Sequence, residues 1–163
     1  FQTDSRIPRD ESSILSFRPL KLKKGKMKIL FVCKQNRFRS QIAEQFFKKY
    51  NENRNISVRS AGIFKGYTPL SKIEQKTAKT FGISINKEPE SISVDLLRNI
   101  NLVVITAKDI PKDLFLIDGK YLQEIVKWDI DDNYNGNTDN IKEIIRKIEI
   151  NVKNLIKELE EAK

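Results

Sequence analysis

From Met27 onward the chain alternates short β-type runs with stretches of helical spacing, and nothing else in the sequence constrains its fold as strongly. Residues 28–32 (Lys-Ile-Leu-Phe-Val) form a continuous apolar run of strand type. Residues 39–50 then place Ile42, Ala43, Phe46, Phe47 and Tyr50 on one helical face. Residues 56–60 are short and β-branched, ending at Ala61-Gly62. Thr68-Pro69 predicts the start of a helix over 70–81, with Gly82 as its stop. A brief helix is expected at 93–98, a third strand at 101–106 and a fourth at 125–128. The chain closes on a long helix in which Ile141, Ile144, Ile145, Ile148, Val152, Leu155, Ile156 and Leu159 keep a spacing of three or four.

Strands that alternate with helices predict an α/β protein, a parallel sheet covered on both faces. Right-handed crossovers then favour a small doubly wound sheet of four strands in the order 2-1-3-4. In such sheets ligands sit beyond the carboxyl ends of the strands, where the strand order reverses. Cys33, the only cysteine, falls at the end of the first strand, beside that point.

The segment that follows, Cys33-Lys34-Gln35-Asn36-Arg37-Phe38-Arg39-Ser40, carries the chemistry. A thiolate can attack phosphorus. A short loop of backbone N–H groups leading into a helix N-terminus makes an oxyanion site, and an arginine at its end can grip two phosphate oxygens with its planar fork. Cys33 is the expected nucleophile, held as the thiolate by the helix terminus and by the cations Lys34, Arg37 and Arg39. Lys34, Gln35, Asn36, Arg37, Phe38, Arg39 and Ser40 are the expected phosphate-binding residues, their amides turned inward. Arg39 would stabilise charge in the transition state. Ser40 could donate a hydrogen bond to the sulfur. Asn36 could tie the loop together through its amide or supply a left-handed backbone position.

Composition narrows the function. The chain has 163 residues, no histidine and one cysteine. Histidine-based acid–base catalysis is excluded, so proton transfer falls to carboxylate, lysine, tyrosine or water. A structural zinc site is disfavoured, and no metal or cofactor is called for. A single cysteine forms no internal disulfide and suits a reducing cytoplasm. No apolar stretch approaches a membrane span. The net charge of +9 would attract anionic substrates. Nucleic acid is disfavoured as a partner, because neither an arginine-rich run nor an aromatic-interleaved RNA motif is present. Part of the excess lies in residues 1–26, where Arg6, Arg9, Arg18, Lys21, Lys23, Lys24 and Lys26 face Asp4, Asp10 and Glu11. That segment lacks periodicity and is expected to be a flexible N-terminal extension, leaving 27–163 as one domain. The apolar cluster Ile14-Leu15-Ser16-Phe17 allows a docking arm as the alternative.

Phe31-Val32-Cys33 with Asn36, Arg39, Ser40 and Ala43-Glu44 resembles the low-molecular-weight protein tyrosine phosphatases and their relatives of the same fold, the arsenate reductases. The resemblance covers residues 27–160 and is strongest at its start. Ser60-Ala61-Gly62 is similar to the family segment that closes the second strand beside the phosphate loop. The family implies a phosphotyrosine phosphatase I-like fold and hydrolysis through phosphocysteine, on phosphotyrosine in proteins or on small aryl phosphates. It also implies a carboxylate that protonates the leaving group and then activates water, in an Asp-Pro pair after the last strand. Counting from Trp128 makes Asp132 the match, ahead of Asp131 and then Asp129, with Asn133 in place of the proline. Tyr134 could line the pocket or cap the core. Two further departures are Gln35, where the family usually has glycine, and Gln41, where phosphatases often carry proline and the reductase branch often glutamine. Arsenate reduction remains an alternative; with Cys33 alone it needs an external thiol. A catalytically silent phospho-ligand binding module is the other.

Overall fold

The computed structural model describes residues 26–132 and 136–161. Its strands are β1 (Met27–Cys33), β2 (Ile56–Gly62), β3 (Leu102–Ile105), β4 (Leu116–Ile117), β5 (Lys120–Tyr121) and β6 (Glu124–Lys127). Four of them form a parallel sheet in the order β2-β1-β3-β6. That is the expected order, with the fourth strand of the sequence pattern now numbered β6. The helices are α1 (Arg39–Tyr50), α2 (Lys72–Thr80), α3 (Val94–Arg98) and α4 (Thr138–Glu161).

Burial explains why these runs become strands. In central β1 only Lys28 is exposed, and all four residues of β3 are buried. Strands covered on both faces need continuous apolar runs. Edge strand β2 instead alternates half-buried Ile56 and Val58 with exposed Ser57 and Arg59, until Ser60, Ala61 and Gly62 sink inward. Side chains along β1 point alternately to the two faces. Met27, Ile29 and Phe31 meet Ile42, Phe46 and Phe47 of α1, Ala78 of α2 and the apolar stripe of α4. The Phe31 ring sits 6.0 Å from Phe47 and 5.9 Å from Trp128. Leu30, Val32 and Cys33 face the other side, with Val103, Ile105, Ile110, Phe115 and partly buried Leu96 and Leu97 of α3. Register aligns Cys33 with Gly62 and Val32 with Ile105, so the strand ends open onto one rim.

Two local features differ from the sequence expectation. Helix α2 starts at Lys72, later than the Thr68-Pro69 signal implied, because Ser71 and Glu74 form a reciprocal capping box. Ser71 Oγ accepts from Glu74 N at 3.1 Å, and Glu74 Oε1 accepts from Ser71 N at 3.0 Å. At its other end Gly82, at φ +77°, donates to Lys79 O while Ile83 donates to Ala78 O, the paired bonds of a Schellman stop. The second feature is the hairpin β4–β5, turned by Asp118 (φ 51°) and Gly119 (φ 75°). Two successive left-handed residues give the turn whose twist suits a tight hairpin. No described helix is long and apolar enough to cross a membrane.

Ser71→Ala removes one half of the capping box and is expected to lower unfolding stability by about 1 kcal/mol, measured by urea denaturation.

Candidate active site

The loop between β1 and α1 is shaped by where its carbonyls go. Cys33 O accepts from Ile63 N (3.0 Å), Lys34 O from Phe64 N (3.1 Å) and Gln35 O from Gly66 N (3.1 Å). Asn36 O accepts from the side-chain amide of Gln41 at 2.6 Å. A trans peptide sets each C=O opposite the N–H of the following residue. With four successive carbonyls drawn to the outside, the N–H groups of Lys34, Gln35, Asn36 and Arg37 face inward. Asn36 N confirms the direction by donating to Cys33 Sγ at 3.2 Å. The backbone N–H groups of Lys34, Gln35, Arg37, Phe38 and Arg39 have no partner among the described residues. Helix α1 adds to this field, since it has no side-chain N-cap and no acid in its first turn. The loop is a concave set of donors at a positive helix end, suited to an anion.

Cys33 Sγ lies at the base of this bowl, 3% exposed as a residue, with Ser40 Oγ 3.0 Å away. Asn36 Nδ2 donates to the same Ser40 oxygen at 2.8 Å. Ser40 therefore accepts from Asn36 and has its own proton free for the sulfur. Asn36 fills both of the roles left open by the sequence. Its φ of 55° turns the loop, and its amide ties the turn to Ser40 and, through Oδ1, to Glu90 N at 3.0 Å. Gly62 explains how β2 can lie against this turn: a Cβ there would sit 2.6 Å from Asn36 N and from Gln35 C.

The other expected residues fall into distinct places. Arg39 is buried, with Nη1 donating to Ile130 O at 3.0 Å and to Asp109 Oδ1 at 3.4 Å. Its Nη2 lies 4.0 Å from Asp132 Oδ1. Asp131 turns instead to Lys108 at 3.7 Å, on the exposed side, and Asp129 is exposed. Among the three aspartates after β6, Asp132 is the one the structure brings to Arg39. Arg37 points away from the bowl: its guanidinium donates to Thr68 O, Pro69 O and Glu74, the last at 2.6 Å. Only its backbone remains in the loop. Phe38 packs into the core, Lys34 is exposed and Gln35 half-buried. Tyr134 and Asn133 lie outside the described residues. Among the described residues no cluster of three or more metal-ligating side chains occurs.

The family model described as low molecular weight phosphotyrosine protein phosphatase matches residues 28–163. The chain belongs to that family. The structure of a low-molecular-weight protein tyrosine phosphatase from T. tengcongensis is 25% identical, with a TM-score of 0.69, over 81% of this chain and 99% of that one. A YwlE arginine phosphatase mutant with a phosphorylated active-site serine is 26% identical, with a TM-score of 0.69, over 82% of this chain and 96% of that one. An arsenate reductase from Archaeoglobus fulgidus, at 20% identity and TM-score 0.62 over 79% of this chain and 98% of that one, shares the fold. No curated protein sequence matches significantly.

In this phosphatase-family chain a partly buried ionic cluster, which sequence spacing did not reveal, braces the loop from behind. Glu44, on the inner face of α1, accepts from Ser60 Oγ at 2.5 Å and pairs with Lys48 at 2.9 Å and Lys87 at 3.7 Å. Lys87 also donates to Ser60 O at 2.6 Å and pairs with Glu90 at 2.9 Å. Partial burial raises the Glu90 carboxyl, yet the hydrogen bonds and charges of Lys87 and Arg59 together outweigh it and hold the group below its ordinary value. The backbone of this same segment bonds the loop twice, through Lys87 O to the Gln41 amide (3.1 Å) and through Glu90 N to Asn36. Gln41 thereby bridges loop and brace. The only sequence hint of this cluster was Ala43-Glu44 beside Ser60-Ala61-Gly62.

Gly62→Ala pushes a methyl into the loop backbone and is expected to lower kcat/KM toward p-nitrophenyl phosphate by about 10²-fold, the usual cost of ångström-scale misplacement at a reacting centre. Steady-state kinetics on the folded variant checks this.

Proposed function

We propose that the chain hydrolyses phosphomonoesters of the phosphotyrosine type through a phosphocysteine at Cys33. The observation that carries this reading is a sulfur held by Asn36 N and Ser40 Oγ, below amides with no other partner among the described residues. The thiolate of Cys33 attacks phosphorus, forming the P–S bond as the ester P–O bond breaks. The inward amides and Arg39 take up the equatorial oxygens, where negative charge accumulates. Asp132, as the carboxylic acid, gives its proton to the departing phenolate. As the carboxylate it then takes a proton from the water that attacks phosphorus. The P–S bond breaks, phosphate leaves, and the Ser40 hydroxyl supports the returning sulfur anion.

An aryl substrate is the class this reading favours. The segment hydrogen-bonded to the loop's outward carbonyls carries Phe64, 47% exposed, and Tyr67, 86% exposed, aromatic surface available to an aryl group. Phosphoarginine is the second substrate class, because a neighbour at 26% identity is an arginine phosphatase. A nucleophile that must stay a free thiol suits a reducing cytoplasm.

Turnover of p-nitrophenyl phosphate and of a phosphotyrosine peptide, abolished by Cys33→Ser and by Arg39→Ala, is the expected result. Asp132→Ala should cost about 10²–10⁴-fold on the peptide, while Asp131→Ala stays near wild type. Faster release of phosphate from phosphoarginine than from the phosphotyrosine peptide would move the substrate assignment. Arsenite formation from arsenate and a small thiol, in place of ester hydrolysis, would select reduction. Saturable phosphate binding with no turnover of any ester would leave only a binding module.

A further inference from the structure

The guanidinium of Arg39 is held on one side by a residue that no motif singles out. We propose that Asp109, in the loop after β3, is the positioning residue that aims Arg39 into the anion bowl. The proposal rests on the hydrolase reading above.

The geometry follows from counting donors. A guanidinium carries five N–H groups in a fixed plane, two of them on Nη1. In this chain Nη1 faces two acceptors, Ile130 O at 3.0 Å and Asp109 Oδ1 at 3.4 Å. With both Nη1 protons engaged on the wall, Nε and Nη2 remain as the fork for two phosphate oxygens. Two acceptors from two separate loops also fix the plane of the group, which one acceptor would leave free to swing. The wall is itself braced, because Ile130 O accepts from Lys108 N at 3.0 Å. The residue just before Asp109 is thus bonded to the same carbonyl that Arg39 uses. Lys108 Nζ lies 3.7 Å from Asp131, one residue before Asp132. The arginine clamp and the loop carrying the carboxylic acid therefore share one anchor, supplied by Lys108 and Asp109.

Electrostatics point the same way. The Arg39 side chain is only 5% exposed, and a buried cation needs a matched negative group. Asp109 is one-third exposed, and Asp132 stands farther off at 4.0 Å. Of the two carboxylates, Asp109 is the nearer to the guanidinium, and it carries the anchoring.

Asp109→Ala, Asp109→Asn and the surface control Asp95→Ala would be compared with wild type by steady-state hydrolysis and by competitive inhibition with inorganic phosphate. The inhibition constant for phosphate is independent of how much enzyme is folded, so it separates positioning from simple loss of structure. Asp109→Ala is expected to raise that constant and to lower kcat/KM, each by about tenfold, as for loss of a charge-assisted hydrogen bond. Asp109→Asn keeps an acceptor oxygen toward Nη1 but loses the charge, and should fall between wild type and Asp109→Ala. Asp95→Ala should match wild type. Asp109→Ala leaving both constants unchanged, or Asp109→Asn falling as far as Asp109→Ala, overturns the assignment. An active wild type with an indifferent Asp109→Ala removes this inference alone. A wild type that neither binds phosphate nor hydrolyses esters removes the hydrolase reading beneath it, and the assignment with it.

Discussion

The three backbone hydrogen bonds from Ile63, Phe64 and Gly66 to the carbonyls of Cys33, Lys34 and Gln35 determine how the rest of the site is built. They continue the pairing of β1 with β2 past the last regular ladder residue. By drawing those carbonyls outward they oblige the next amides to turn in. A loop that ended the strand with free carbonyls would present mixed polarity to an anion. Here the loop offers donors alone, and it does so at the unsatisfied end of α1, where the helix field has the same sign. The sulfur of Cys33 sits where that field converges.

Everything around the loop holds this arrangement in register. Gly62 allows the close approach, because any side chain there would meet loop backbone. Asn36 accepts the left-handed turn and fixes it with two side-chain hydrogen bonds, to Ser40 Oγ and from Glu90 N, while its backbone N–H donates to Cys33 Sγ. Gln41 and the Glu44–Lys87–Glu90 cluster tie the loop to the chain between α2 and α3. Arg37 gives its guanidinium to Glu74, the carboxylate that also caps α2, and so joins the loop to that helix. On the far rim, Arg39 is gripped by the loops after β3 and β6. The two sides of the bowl are thus braced by separate networks, one polar and partly buried behind Asn36, the other gathered at Ile130 O.

The parts legible in the sequence share a feature: their information is local. Residues 28–32 and 101–106 read as strands because burial on both faces leaves an uninterrupted apolar run, realised as Met27–Cys33 and Leu102–Ile105. Helix α4 read correctly because its stripe is long, and Gly82 marked the end of α2 because a left-handed stop favours glycine. Cys33, Asn36, Arg39 and Ser40 were visible together since eight consecutive residues contain them. The start of α2 falls later than the proline signal implies because the Ser71…Glu74 spacing competes with it, and the capping box prevails. Asp118-Gly119 is a hairpin signal that went unread, because its strands are two residues each and show no alternation. Asp109, Lys87 and the Glu44–Ser60 contact were beyond reach for another reason. They join positions far apart in the chain, and only the strand order brings them to one rim.

Titration of the Cys33→Ser protein with inorganic phosphate, followed by amide resonances in a ¹H–¹⁵N spectrum, tests the inward-facing donors most directly. The account predicts that the amides of Lys34, Gln35, Arg37, Phe38 and Arg39 shift together and saturate with one dissociation constant, while those of the β4–β5 hairpin stay still. Loop amides that remain unmoved in a folded protein, or that drift without saturating, would contradict it.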